Sequence, residues 1–504
     1  MNQAVHPHRL LLFSLLATLA FRFWLATAMP ITGDEAYFIE WGRRPDWGFY
    51  DHPPMIGWWL AALLAVSDAE WWLRLPSVLQ PALLALAAGA TVGRLWPELE
   101  EDRRWWAALL VLLAPVNVWN VFVTTDTALV YFAVLSGLAW IRAAEDDAPG
   151  WYLVAGILLA GAVLSKYFAA LLGFAYLVDV LVRRTPGAWG GLAIAYACTL
   201  PALALMAWWN AGHCWPNYMF NFVNRHEGAG LSWKTPLLYV ATLAYVLSPP
   251  VLWLLVARGG GVLTGGCRSL VALSAAPFAL FGLLSLVKTV GLHWLLAFVP
   301  FALLPLARRL ALPELRKLGA FFAAFAALHV AVAIVVARLP LETWRSLRAY
   351  DGIVLTFDAQ ALLDHLKPYE HDYAFASDGY SNAVTLGYNA RRYFFVFGEA
   401  SSHARHDDIL TDFRSLAGRN ILVLRKSEPN PADYQRYFRE IEVREFTQRQ
   451  TRFWIVLGRG FDYEAYREGV LRPVKEKYYA TPRGLPQTGC YFCERYFPGE
   501  PCRR

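Results

Sequence analysis

Two carboxylates, Asp34 and Glu35 in "GDEAYF", and an Asp–His pair, Asp51 and His52 in "YDHPP", lie in one polar stretch between two apolar runs. Carboxylates suit general-base work or the stabilisation of positive charge at a reacting carbon, and a histidine holds a phosphate or moves a proton. Further along come Asp126 in "VTTDTALVYF", Lys166 in "LSKYFAALL", Arg225 and His226 in "NFVNRHEG", and His293 in "VGLHWLLAFVP", each beside an apolar run. Asp34, Glu35 and Asp126 are the catalytic candidates. His52, Lys166, Arg225, His226 and His293 are candidate phosphate partners, and Tyr37 and Asp51 are further substrate-binding candidates. Plainer roles compete: Asp126 after "TT" suits a helix N-cap, Lys166 suits snorkelling, His293 an interfacial histidine, and Glu35 a solvated loop charge.

The elements that must position these residues are membrane spans. Of 504 residues, 57% are hydrophobic and 17% charged, and apolar runs recur at about the 20 residues needed to cross a bilayer core. The reading is a polytopic α-helical membrane protein with eleven spans, near 10–29, 75–95, 105–123, 126–142, 150–165, 167–182, 188–209, 236–257, 269–287, 290–307 and 317–337. Residues 55–66 are too short to cross and fit an interfacial or re-entrant helix. The first run reads as a span rather than a cleaved signal peptide, and many of the 22 Trp lie near span ends, as in aromatic belts. The net charge of +6 needs no nucleic-acid partner.

With the N-terminus cytoplasmic, thirteen basic residues fall in inner loops and seven in outer ones, the positive-inside pattern. An odd span count then puts the C-terminal third outside. Every candidate residue falls at the outer end of a span. Ionisable groups gathered at one membrane level mark a functional site, because each is costly there unless paired or facing water.

From Glu342 on, the chain holds 46 of its 86 Asp, Glu, Lys and Arg residues, so the solvent changes. Short β-rich runs at 373–376, 392–397, 420–424 and 453–458 alternate with helical stretches "DAQALLDHL" and "DDILTDFRSL", which predicts a soluble α/β domain. The expected organisation is a transmembrane domain over 1–340 with an outer first loop at 31–54, an α/β domain over 341–480, and an irregular Cys-containing tail over 481–504. Cys490, Cys493 and Cys502 lack the fourth ligand of a zinc site, so one disulfide and a spare thiol are expected there.

These motifs resemble the bacterial branch of the C-type (GT-C) glycosyltransferase superfamily, which groups polyprenyl-phosphate-sugar-dependent enzymes with protein mannosyltransferases and the lipid A aminoarabinose transferase. "GDEAYF" is similar to the family's acidic motif after the first span, at Asp34 and Glu35. "YDHPPMIGWW" resembles the proline-containing motif that opens the next helix, with His52 where the aminoarabinose transferases carry Lys. "TTDTALVYF" resembles the second acidic motif, at Asp126, "LSKYFAALL" the Lys-bearing motif, at Lys166, and "HWLLAFVP" the late outer-surface motif.

The resemblance implies an outer-facing cavity, a sugar donor on a polyprenyl phosphate and a soluble outer C-terminal domain; it leaves the sugar and the envelope acceptor open (lipid A, another glycan or a protein), and attack opposite the phosphate would invert the sugar carbon. No cofactor is required by this reading; a divalent metal is compatible with it but not indicated. No phosphate-binding glycine loop follows a strand, in keeping with a lipid-linked rather than a nucleotide donor. The alternative is a lipid or oligosaccharide transporter, in which the same charges line a substrate path. Against it, the charges gather at one surface and no internal repeat is found. A binding scaffold leaves the charged first loop unexplained.

Overall fold

The computed structural model describes residues 6–224, 230–257, 267–398 and 406–503. Arg225 and His226 lie outside them. The chain divides into two compact units. One gathers Met1–Met29, Val66–Ala204 and Gly228–Arg338, and the other Pro30–Ala65, Leu205–Glu227 and Leu339–Arg504. The first loop, which the sequence reading grouped with the spans, therefore folds with the C-terminal residues.

The first unit is helical. Among the described residues, six helices are long and apolar enough to cross a membrane: α1 (Pro7–Ala28), Glu70–Leu95, Thr125–Asp146, Pro186–Gly212, Arg268–Ser285 and Leu312–Arg338. A seventh results if Lys234–Leu247 and Pro249–Ala257, bent by 102°, count as one span. The other expected spans hold shorter helices: Asp102–Leu112 with Pro115–Trp119, Pro149–Val163, Ala169–Arg183, and Val299–Arg309. The breaks before Pro115 and Pro249 fall at prolines, which lack the N–H that continues a helix and push the preceding residue out of helical geometry, whereas the break at 164–168 holds none. Several polar side chains inside this unit are satisfied by one another, as burial in an apolar medium favours. Asp179, for example, accepts from Trp140 Nε1 at 2.8 Å and Ser269 Oγ at 2.7 Å.

The second unit contains a five-stranded sheet in the order β2-β1-β3-β5-β4. Its strands are β1 (Ala374–Ser377), β2 (Phe395–Val396), β3 (Ile421–Arg425), β4 (Phe438–Gln448) and β5 (Thr451–Phe461). β1 pairs in parallel with β2 and β3, while β5 is antiparallel to β3 and β4. Four strands coincide with the expected runs. β4 was not expected, because "FREIEVREFTQ" is a largely exposed edge strand whose charges mask its alternation. Two first-loop helices join this unit: α2 (Gly33–Arg43) and α3 (Met55–Leu64). They pack closely at Gly42, where an added Cβ would lie 2.9 Å from the Leu60 carbonyl carbon.

The tail over 481–504 is more ordered than expected. It carries helix Tyr491–Tyr496 and two disulfides, Cys214–Cys490 and Cys493–Cys502. The spare thiol is thus paired, and by a cysteine 276 residues earlier. The tail backbone folds onto that segment: Thr488 N–H donates to the Ala211 carbonyl at 2.9 Å, and Trp215 Nε1 to the Pro486 carbonyl at 2.6 Å.

Candidate functional site

In the second unit, α2 starts with a capping box. The Thr32 hydroxyl accepts from Glu35 N–H at 3.3 Å, and the Glu35 carboxylate accepts from Thr32 N–H and hydroxyl, both at 3.1 Å. Glu35 is buried and caps its own helix. Asp34 differs sharply. Its side chain is exposed in the first turn, where the helix dipole favours negative charge, and it accepts a hydrogen bond from the Tyr380 hydroxyl at 3.2 Å.

The "DHPP" turn is built from buried polar contacts. Tyr37 donates to Asp51 Oδ1 at 3.3 Å, and Asp51 Oδ2 lies 3.5 Å from His52 Nδ1. His406 then fixes the turn from the α/β part. Its backbone N–H donates to the Tyr37 hydroxyl at 3.0 Å, and its ring Nδ1 accepts from Tyr50 N–H at 3.3 Å. Burial pushes the His406 imidazole down to about 3 against an upward pull from Asp51, with Arg44 and His213 adding to the fall. The ring is neutral, as a Nδ1 acceptor must be. Tyr37 and Asp51, expected to touch substrate, are here part of the scaffold that carries His52.

Two asparagines that sequence reading missed hold the same turn. Asn217 Nδ2 donates to the Phe49 and Tyr50 carbonyls, the latter at 3.0 Å, and Asn221 Nδ2 donates to the Asp51 carbonyl at 3.0 Å. The available signal was a pair of Asn four apart in a largely aromatic stretch, "NYMFN", three residues after Cys214.

In the first unit, Asp126, Lys166 and His293 come together. Helix Thr125–Asp146 is capped by Thr124, whose hydroxyl accepts from Asp126 N–H at 3.2 Å. The cap is therefore Thr124 and not Asp126, and the Asp126 carboxylate points elsewhere. Its Oδ2 accepts from Lys166 Nζ at 2.7 Å and lies 3.8 Å from His293 Nε2. Asp126 Oδ1 is buried with no hydrogen-bond partner among the described residues. Lys166 is 8% exposed, in the turn after helix Pro149–Val163, so it is paired inside the unit rather than snorkelling. His293 is about half exposed on the short turn Leu292–Leu295.

A buried arginine that sequence reading also missed steadies the approach to Asp126. Arg22, on α1, donates to the carbonyls of Val78 at 3.0 Å and Asn120 at 2.7 Å, and to those of Ser77 and Asn117. Asn120 ends helix Pro115–Trp119, so Arg22 satisfies carbonyls that a helix end leaves open.

Comparison with known proteins bears on both clusters. A family model described as dolichyl-phosphate-mannose-protein mannosyltransferase matches residues 51–209, from Asp51 through Asp126 and Lys166. The lipid A galacturonosyltransferase RgtD of Rhizobium johnstonii is 30% identical over 210 residues, 40% of this chain. The match spans 43% of that relative's own length, less than half of it. Among solved structures, ArnT from Cupriavidus metallidurans bound to undecaprenyl phosphate is similar with a TM-score of 0.59 at 15% identity, over 88% of this chain and 97% of ArnT. Its apo state gives the same TM-score and coverage at 16% identity. The family match covers the segment that holds Asp51, His52, Asp126 and Lys166, and the likeness to ArnT is one of fold.

Proposed function

We propose that this protein transfers a sugar from a polyprenyl-phosphate carrier to an envelope acceptor, with a lipid A-type glycolipid the first choice, at the outer face of the bacterial inner membrane. The acceptor oxygen attacks the anomeric carbon on the face opposite the phosphate. The bond from that carbon to the phosphate oxygen breaks, the configuration inverts, and polyprenyl phosphate leaves with the electron pair. Asp34 takes the proton of a hydroxyl acceptor; toward an acceptor that is already an anionic phosphate it positions the sugar and stabilises positive charge on the ring carbon. His52, Lys166 and His293, with Arg225 and His226, hold the phosphate as its charge grows. Asp126 orients Lys166. Assignment of residues from both units to one reaction comes from the motif resemblance. No cofactor enters these steps.

The observation that carries the reading is the contrast between neighbours: Glu35 is bound into the helix cap, whereas Asp34 presents an exposed carboxylate from a rigid helix start. The lipid A relative and the undecaprenyl-phosphate-bound neighbour support the choice of acceptor and donor. Two disulfides in the second unit support its placement in an oxidising compartment such as the periplasm, with the first loop beside it. The test is to follow a radiolabelled polyprenyl-phosphate sugar in a membrane extract containing the protein. Label moving into an acceptor supports the transferase. Vectorial movement of intact donor without transfer supports the transporter instead.

A further inference from the structure

The second unit places a tyrosine from its α/β part directly on the proposed base. Tyr380 opens helix Tyr380–Ala390, which packs against α2. Its hydroxyl donates to Asp34 Oδ1 at 3.2 Å, and its ring meets Tyr37 edge-on at a centroid distance of 5.3 Å. The approach is close because residue 33 is glycine: a Cβ there would lie 2.1 Å from Ser381 Oγ, the next residue of the same helix. The first turns of the two helices thus meet at Gly33 and Ser381, beside Asp34. Tyr380 and Ser381 lie outside the matched segment 51–209, in the part of the chain that the motif reading left without a task.

We propose that Tyr380 is a positioning residue for the transfer reaction, holding Asp34 in the rotamer that meets the acceptor, so that the α/β part completes the acidic motif. This rests on the reading of Asp34 as the acid of a sugar transferase. A carboxylate on an exposed first turn samples several rotamers, and a donor on one oxygen selects among them while leaving the other to the acceptor. Tyr380 bears on Asp34, the group assigned to the acceptor, so its loss should slow the chemical step more than it weakens donor binding.

The test compares wild type, Tyr380→Phe and Tyr380→Ala as full-length detergent-purified proteins, with thermal stability, kcat and donor KM measured together. Tyr380→Phe removes only the hydroxyl and keeps the ring against Tyr37. It should lower kcat about tenfold, the scale of a hydrogen bond to a charged group, with KM within twofold and the melting temperature unchanged. Tyr380→Ala should add a loss of stability. Wild-type kcat in Tyr380→Phe, or a loss seen only in KM or in proportion to stability, overturns the proposal while wild type still transfers sugar. Absence of transfer by wild type overturns the underlying reading instead.

Discussion

Lys166 Nζ and Asp126 Oδ2 are 2.7 Å apart, and both side chains are nearly excluded from solvent. A buried ion pair is costly to form but far costlier to break on one side, about 3–5 kcal/mol, because the partner keeps an uncompensated charge. Lys166→Ala should therefore lower stability as well as donor use. Adding Asp126→Asn should recover most of the stability without restoring transfer. Melting curves and donor-dependent turnover on the single and double variants check this. Recovery of activity along with stability would make the pair purely structural.

The acidic motif should separate into two unequal halves. Asp34→Asn keeps size and helix start, and should abolish transfer in a protein that melts as wild type does. Glu35→Gln retains an acceptor for the Thr32 N–H and should remain active, whereas Glu35→Ala should cost about 1 kcal/mol, the usual value of a cap. Turnover normalised to folded protein distinguishes the roles, and a dead but stable Glu35→Gln would reverse them.

His52 tests the cation role in the "DHPP" turn. His52→Lys should retain part of the activity at saturating donor, and His52→Ala and His52→Gln should raise donor KM several-fold. If Gln outperforms Lys, a neutral hydrogen bond is what the phosphate needs.

The neutral His406 makes the second unit sensitive to acid. Its folded value of about 3 lies below the ordinary imidazole range, so the unfolded chain binds the proton first. The stability it contributes is complete above about pH 6.5 and is lost as pH falls toward 3, reaching about 2 kcal/mol by pH 5. His406→Gln, which keeps an acceptor for the Tyr50 N–H, should flatten that part of the stability–pH curve. Parallel curves for the two proteins would contradict it.

Much of this architecture was legible because its signals are local. Apolar runs marked where helices lie though not their lengths, β-rich runs located four strands, and residue type singled out Asp34, Asp126, Lys166 and His52. What escaped depends on distant contacts. The Cys214–Cys490 bridge spans 276 residues, and Asn217, Arg22 and Tyr380 are ordinary in their own neighbourhoods, acquiring meaning through the turn, the carbonyls and the carboxylate they reach. The Glu35 cap was readable, since "TGDE" has capping-box spacing. Its second acid drew attention as chemistry because it stands next to Asp34.

The most direct measurement reconstitutes purified wild type and Asp34→Asn in liposomes without any ion gradient, supplies a polyprenyl-phosphate sugar and a lipid A-type acceptor, and quantifies glycosylated acceptor against released polyprenyl phosphate. The account predicts equal amounts of the two products with wild type, inverted configuration at the transferred sugar, and neither product with Asp34→Asn. Equal turnover by both proteins, or no transfer by wild type, would contradict it.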